Sequence, residues 1–195
     1  MQRNPIGVIH CRRHEVSRIL IVYGTAEGQT ARIAQHIEGV LHEEGHAVRM
    51  LEGHEVTEDL DLSDFDGVLV GASVHSGKHD KRIVEFVRAN LDTLNSIPSA
   101  FFSVSLTAAG TSEEDHADVE RILEQFSQRT GWQPEKTGVF AGALLYTRYN
   151  PVLRFIMKKI SASHGGDTDT SRDYEYTDWD GVTEFVRVFL GTLQT

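Results

Sequence analysis

The chain has 195 residues, a formal net charge of −10, 25% charged residues and 39% apolar ones. Those proportions describe a folded domain long enough for a full core, rather than a disordered segment. The acidic balance excludes a general nucleic-acid binder, which needs a basic footprint.

Residues 1–17 are expected to form an extension ahead of a single domain over 18–195. The stretch MQRNPIGVIHCRRHEV lacks the long apolar segment of a signal peptide, and no apolar run anywhere reaches the ~18 residues of a membrane span. Cys11 is the single cysteine, which excludes an internal disulfide and fits a reducing cytoplasm. His10, Cys11 and His14 read as chance neighbours in a surface tail, so no metal is expected there.

Residues 19–23 are an uninterrupted apolar run rich in β-branched side chains, the pattern of a strand buried on both faces. The helix that follows carries Ile33, Ile37, Val40 and Leu41 in one stripe and ends at Gly45. Between them Thr25, Ala26, Glu27, Gly28, Gln29 and Thr30 make a turn dense in hydroxyls and amides, without Lys or Arg. A helix start exposes unpaired backbone N–H groups and favours an anion, so this loop suits a phosphate held by neutral dipoles. A plain helix cap is the competing reading. The loop is neither GxxxxGK[ST] nor GxGxxG, which argues against a triphosphatase or a dinucleotide fingerprint. T-x-E-G-x-T after a first strand resembles the flavin mononucleotide (FMN) phosphate loop of flavodoxins, [ST]-x-T-G-x-[TN]. Glu27 stands where that family has Thr, and the resemblance implies that its carboxylate points away from the phosphate. A side chain at Gly28 is expected to block the phosphate by contact with the loop backbone.

Ala47–Glu52 is expected as a second strand, and residues 57–64 offer little more than a turn where a second helix would stand. Residues 67–72 form a third strand. One helix over 81–95 carries Ile83, Phe86, Val87, Leu91 and Leu94 on one face. Ser99–Ser105 is the fourth strand, and Ser112 caps a helix with Glu113 and Glu114 in its first turn. Gly131 ends that helix; residues 137–143 form the fifth strand, and a last helix begins near Trp179. Strands alternating with helices imply an α/β, three-layer, doubly wound parallel sheet of flavodoxin-like order 2-1-3-4-5, with ligands at the carboxyl ends of the strands.

The binding loops then follow strands one, three and four. The second is Ala72, Ser73, Val74, His75, Ser76 and Gly77; the third is Ser105, Leu106, Thr107, Ala108, Ala109 and Gly110. Neither contains Phe, Tyr or Trp, so a flat ring held there has an open face, which suits a catalytic flavin better than a shielded carrier. His75 and His79 have i,i+4 spacing but no completing carboxylate motif, so no metal site is expected.

More than thirty residues, 144–178, separate the fifth strand from the last helix, far beyond an ordinary link. Tyr146, Arg148, Tyr149 and Arg154 interleave rings and cations, and Pro151 opens a basic amphipathic stretch. On a helix Arg154 and Lys158 share one face, and Val152, Phe155, Ile156 and Ile160 share another. Two readings stay open: the apolar face packs on the sheet edge, or it lies in a lipid interface.

In this order TAEGQT, VGASVHSG, SIPSAFFSVSL, VFAGALLYTRY, IMKKISASHGGDTDT and YTDW resemble the flavodoxin-type, quinone-dependent protoporphyrinogen IX oxidases, over about residues 18–193. In that family the last strand carries an insertion that supports oxidase activity, here about 145–169. The resemblance implies an FMN enzyme that oxidises protoporphyrinogen IX to protoporphyrin IX and passes electrons to a membrane quinone in haem biosynthesis. It implies phosphate contacts from residues 25–30, ring contacts from 72–77 and 105–110, and substrate contacts from Arg148, Tyr149 and Arg154, as guanidinium pairs well with propionate. The insertion, apart from the flavin site, is expected to confer oxidase activity and peripheral contact with the cytoplasmic face of the membrane. Three alternatives stay open: an FMN electron-transfer protein docking a partner through the insertion, an NAD(P)H:quinone reductase, and a module that has lost its flavin. No catalytic base and no oligomeric state is legible in the sequence.

Overall fold

In the computed structural model of the protein, residues 16–163 and 166–193 are described, apart from the side chains of Leu153, Ile160 and Ser163. The readings made of residues 1–15, including His10, Cys11 and His14, and of the Ile160 side chain lie outside them.

Strand β1 (Arg18–Gly24) is buried from its second residue onward, and helix α1 (Gln29–Glu43) returns the chain to β2 (Ala47–Glu52). β3 (Gly67–His75) pairs with the other side of β1, opposite Ile19 through Gly24. β4 (Lys78–His79) folds back on β3, followed by α2 (Lys81–Ala89), α3 (Leu91–Leu94) and β5 (Ser99–Ser105). Then come α4 (Glu113–Thr130), β6 (Lys136–Ala141), β7 (Ala143–Leu144), α5 (Pro151–Ser163), β8 (Tyr174–Glu175) and α6 (Trp179–Thr192). The five long strands are parallel in the order β2-β1-β3-β5-β6, the arrangement expected from the alternation of elements.

Successive side chains of a strand point to opposite faces, and each face has its own core. Ile19, Ile21, Leu69, Phe102 and Phe140 pack with Ile33 and Ile37 of α1 and with Val186 and Phe189 of α6. Leu20, Val22, Val68, Val70 and Phe101 pack with Ile83 and Val87 of α2, Phe126 of α4 and Trp132. At Gly71 a Cβ would lie 2.0 Å from the Phe102 ring, so only glycine lets that ring cross the strand.

Three boundaries differ from the sequence reading. The helix expected over 81–95 breaks at Asn90, which leaves helical geometry at φ −118° and ψ 19°; its N–H is shared between the Phe86 and Val87 carbonyls at 3.1 and 3.2 Å, and its side chain adds a 2.9 Å bond to Phe86 O. The third strand runs on to His75 and turns through Ser76 (φ 50°) and Gly77 (φ 71°), the paired positive φ of a primed hairpin turn. The fifth strand stops at Ala141: Gly142 donates to Ser105 O at 2.9 Å, and the chain then leaves to pair Ala143–Leu144 with Tyr174–Glu175. The insertion therefore departs and returns as a two-stranded ribbon. In 57–64 a single turn of 3-10 helix at Leu62–Asp64 buries Leu62, in keeping with the turn expected there.

His79, at the end of the hairpin, is 5% exposed, shares a 2.9 Å hydrogen bond with Ser103 Oγ and meets the rings of Phe101 and Phe126 edge-on. Burial, with Arg129 adding repulsion, pushes its pKa down to about 4. The unfolded chain takes up this proton as pH falls below 6.5, the folded chain only near 4, so stability drops as pH falls through that window. The loss across it is about 3 kcal/mol. His79→Gln keeps a partner for Ser103 and has no proton to take up. Denaturant titrations of that variant should show a smaller fall in unfolding free energy between about pH 7 and 4.5 than the unmodified chain shows. Parallel curves would contradict the assignment.

Candidate functional site

The end of β1 and the start of α1 form the first part of the site. Gly28 is the N-cap of α1 at φ 93° and ψ −12°, and its N–H donates to Thr25 Oγ1 at 2.9 Å. The first intrahelical bond is Arg32 N to Gly28 O, so the N–H groups of Gln29, Thr30 and Ala31 have no acceptor in the helix. No side chain caps the helix and no acidic residue lies in its first turn. The Thr30 hydroxyl is buried without a hydrogen-bond partner. An anion-favouring dipole, outward N–H groups and an orphaned buried hydroxyl fit a phosphate monoester, without any cation. A Cβ at Gly28 would meet nothing within 4 Å, so the clash with the loop backbone expected there does not occur. What restricts position 28 to glycine is its left-handed φ.

Glu27 departs from that cluster. Its Oε2 accepts the hydroxyl of Tyr149, a residue 6% exposed that reaches it from the insertion. Burial first, and then this hydrogen bond, push the Tyr149 pKa well above the usual phenol value. The returning end of the insertion makes a second tie. Gln29 Nε2 donates to Glu175 Oε1 and to Thr177 Oγ1, both at 2.8 Å, and Arg32 NH1 lies 3.1 Å from the same Glu175 oxygen. Insertion and phosphate loop are thus in direct contact through these bonds.

Of the three residues expected to contact substrate, Arg148 is exposed, Tyr149 faces Glu27, and Arg154 is turned inward. Arg154 Nε donates to Tyr146 O at 2.9 Å and its NH2 to Tyr149 O at 3.2 Å, which closes the turn that presents Tyr149.

The strand register brings the other two loops to the same end of the sheet, since Gly24 lies beside Ala72 and Ser73 beside Val104. In the first, Ala72 is buried, Ser73, Val74 and Gly77 are half-buried, and His75 and Ser76 are exposed. In the second, Ser105 Oγ accepts from Ala108 N at 3.2 Å and a 3-10 turn covers Thr107–Ala109. A cavity of about 390 Å³ separates Leu106, Thr107, Ala109 and Gly110 from Leu144, Met157, Ser161, Asp167 and Tyr176 of the insertion. The phosphate loop and residues 72–77 do not line it. Tyr176 donates to Asp167 Oδ2 at 2.8 Å; burial, then that bond, push its pKa up to about 12. Met157, Asp167 and Tyr176 were not among the expected site residues, although they lie within the motifs IMKKISASHGGDTDT and YTDW. A larger cavity, about 670 Å³, runs along β6 and α6.

The chain matches the flavodoxin domain family over residues 20–171. A protein of Escherichia coli (strain K12) named protoporphyrinogen IX dehydrogenase [quinone] is 36% identical over 170 residues, 87% of this chain and 93% of its own length. A Leishmania major protein of the same name is 34% identical over 176 residues, 88% of this chain and 74% of its own. Oxidised flavodoxin 1 from Bacillus cereus superposes with a TM-score of 0.51 at 16% identity, covering 90% of this chain and 98% of that one. Rubredoxin oxygen:oxidoreductase from Desulfovibrio gigas gives 0.53 at 13% identity, over 91% of this chain and 36% of its own. These two superpositions speak for the fold alone.

Gly28→Val forces a β-branched residue into the left-handed region beside three N–H groups that must stay oriented. Its affinity for FMN, titrated by flavin fluorescence, should fall by about tenfold or more. Unchanged affinity would remove the loop from the site.

Proposed function

The chain belongs to the flavodoxin domain family, and on that footing we propose that it oxidises protoporphyrinogen IX to protoporphyrin IX with bound FMN and a quinone as electron acceptor. The observation that carries this reading is similarity of 36% identity across 87% of the chain to a protoporphyrinogen IX dehydrogenase [quinone]. The phosphate seat supports it, because its donors suit one phosphate monoester and no second nucleotide motif accompanies them.

FMN supplies the electron-pair chemistry; the protein positions it and the substrate. The Thr30 hydroxyl and the backbone of residues 25–31 hold the phosphate, and the loops 72–77 and 105–110 frame the ring. The cavity between Leu106–Gly110 and the insertion is the site for an apolar tetrapyrrole, with Met157 and Leu144 as apolar walls. Arg148, exposed on the insertion, supplies a cation for a propionate, whereas Arg154 acts indirectly by holding the turn.

Helix α5 brings the site to a lipid surface in this reading. Val152, Phe155 and Ile156 are 71%, 60% and 46% exposed, so this apolar face does not pack on the sheet edge. Lys158 and Lys159 are exposed beside it, with Lys159 Nζ 5.0 Å from the Phe155 ring centroid. Each basic residue adds only about 1 kcal/mol of attraction near an anionic surface, and the net charge of −10 opposes it. Apolar insertion then carries most of the binding, which stays weak and reversible. Among the described residues no helix is long and apolar enough to cross a membrane.

Purified protein loaded with FMN should produce porphyrin fluorescence from protoporphyrinogen IX when a quinone is supplied. Phe155→Ser with Ile156→Ser should retain FMN, lose co-sedimentation with anionic vesicles and slow turnover with a vesicle-embedded quinone. No porphyrin formation, together with rapid flavin reduction by NAD(P)H, would identify a quinone reductase instead.

A further inference from the structure

The free N–H groups at the start of α1 attract any anion, including one from their own chain. Glu27 immediately precedes the N-cap, and a carboxylate there is within reach of folding over the helix start as an internal cap. Such a cap would occupy the donors that a phosphate needs and would set a negative charge against a phosphate dianion. The structure has no side-chain cap on α1; the carboxylate is bonded to Tyr149 instead.

Tyr149 is itself fixed from several sides. Its ring meets Tyr146 edge-on at 6.1 Å, its carbonyl accepts from Arg154, and Leu145 N donates to its hydroxyl at 3.3 Å. Thr147, between the two tyrosines, donates to Asp173 through both its N–H and its hydroxyl at 2.8 Å. The hydroxyl is therefore presented to Glu27 without further loss of side-chain freedom. A charged acceptor held by a buried donor makes a stronger bond than a neutral pair, which suffices to compete with the helix start for the carboxylate.

We infer that Tyr149 is a positioning residue for the phosphate: it holds the Glu27 carboxylate off the start of α1, so that FMN rather than the protein's own side chain occupies those donors. This rests on the reading of the loop as an FMN phosphate seat. By linkage, seating of the turn 146–149 and occupation of the phosphate seat favour each other.

The full-length apoprotein, titrated with FMN and with riboflavin, separates this role from a structural one, because riboflavin has the ring but no phosphate. Tyr149→Phe should weaken FMN binding by about tenfold and leave riboflavin binding unchanged. Glu27→Gln should tighten FMN, and adding Tyr149→Phe to it should change FMN affinity by less than about twofold, since the competing charge is gone. Glu27→Asp keeps the charge but shortens the reach to Tyr149, and should likewise weaken FMN alone; it tests the idea if Tyr149→Phe fails to fold. Equal losses for FMN and riboflavin, a loss that persists in the Glu27→Gln background, or no loss at all would overturn the inference. An unmodified chain that binds no FMN would overturn the phosphate seat, and this inference with it.

Discussion

The contact between Tyr149 and Glu27 and the contact of Gln29 with Glu175 and Thr177 tie the phosphate loop to both ends of the insertion. The helix start they grip does not move freely. α1 is anchored by Ile33, Ile37 and Leu41, each fully buried and each contributing about 2 kcal/mol of burial. Of the ties themselves the ion pair of Arg32 with Glu175 counts least, because its side chains are 53% and 33% exposed and such pairs give at most about 1 kcal/mol. Tyr149 and Gln29, both 6% exposed, make bonds that water cannot readily replace. The rigid sheet thus positions the loop, and the loop positions the insertion.

This division explains how one segment serves two surfaces. The inner side of the insertion closes a cavity against Leu106–Gly110 through Leu144, Met157 and Asp167. Its outer side leaves Val152 and Phe155 in solvent. An apolar helix face costs solubility, and on a chain of net charge −10 the exposed Lys158 and Lys159 mark this place as different from the rest. In the proposed activity the tetrapyrrole and the quinone are both apolar, so a cavity and an exposed apolar face on one segment would shorten the path between them.

The sheet order and both cores were legible in the sequence because burial on two faces writes itself as short apolar runs separated by 3.6-period stripes. The helix start at Ser112 was legible too, from a hydroxyl followed by acidic residues, and the structure adds the reciprocal bond of Asp115. The break at Asn90 was not, since the apolar stripe from Ile83 to Leu94 runs straight across it and periodicity does not register a single residue leaving helical geometry. Nor was the hairpin at Ser76 and Gly77 read from its residue pair, although Gly after a small polar residue is a known turn signal. At the site, the expectation for Thr25 through Thr30 came from local chemistry, and the structure shows there a helix start without a side-chain cap. The partner of Glu27 lies 122 residues away, and local pattern carries no such information. The one trace of it was an acidic residue where a hydroxyl belongs.

Amide hydrogen exchange of the full chain, with and without saturating FMN, tests most directly whether phosphate loop and insertion form one unit. Protection on binding should appear at residues 25–31 and also at 145–150 and 174–177, since a filled phosphate seat leaves Glu27 with Tyr149 and holds Gln29 against the returning ribbon. Protection confined to residues 25–31, 72–77 and 105–110, with the insertion exchanging at its unliganded rate, would contradict the account.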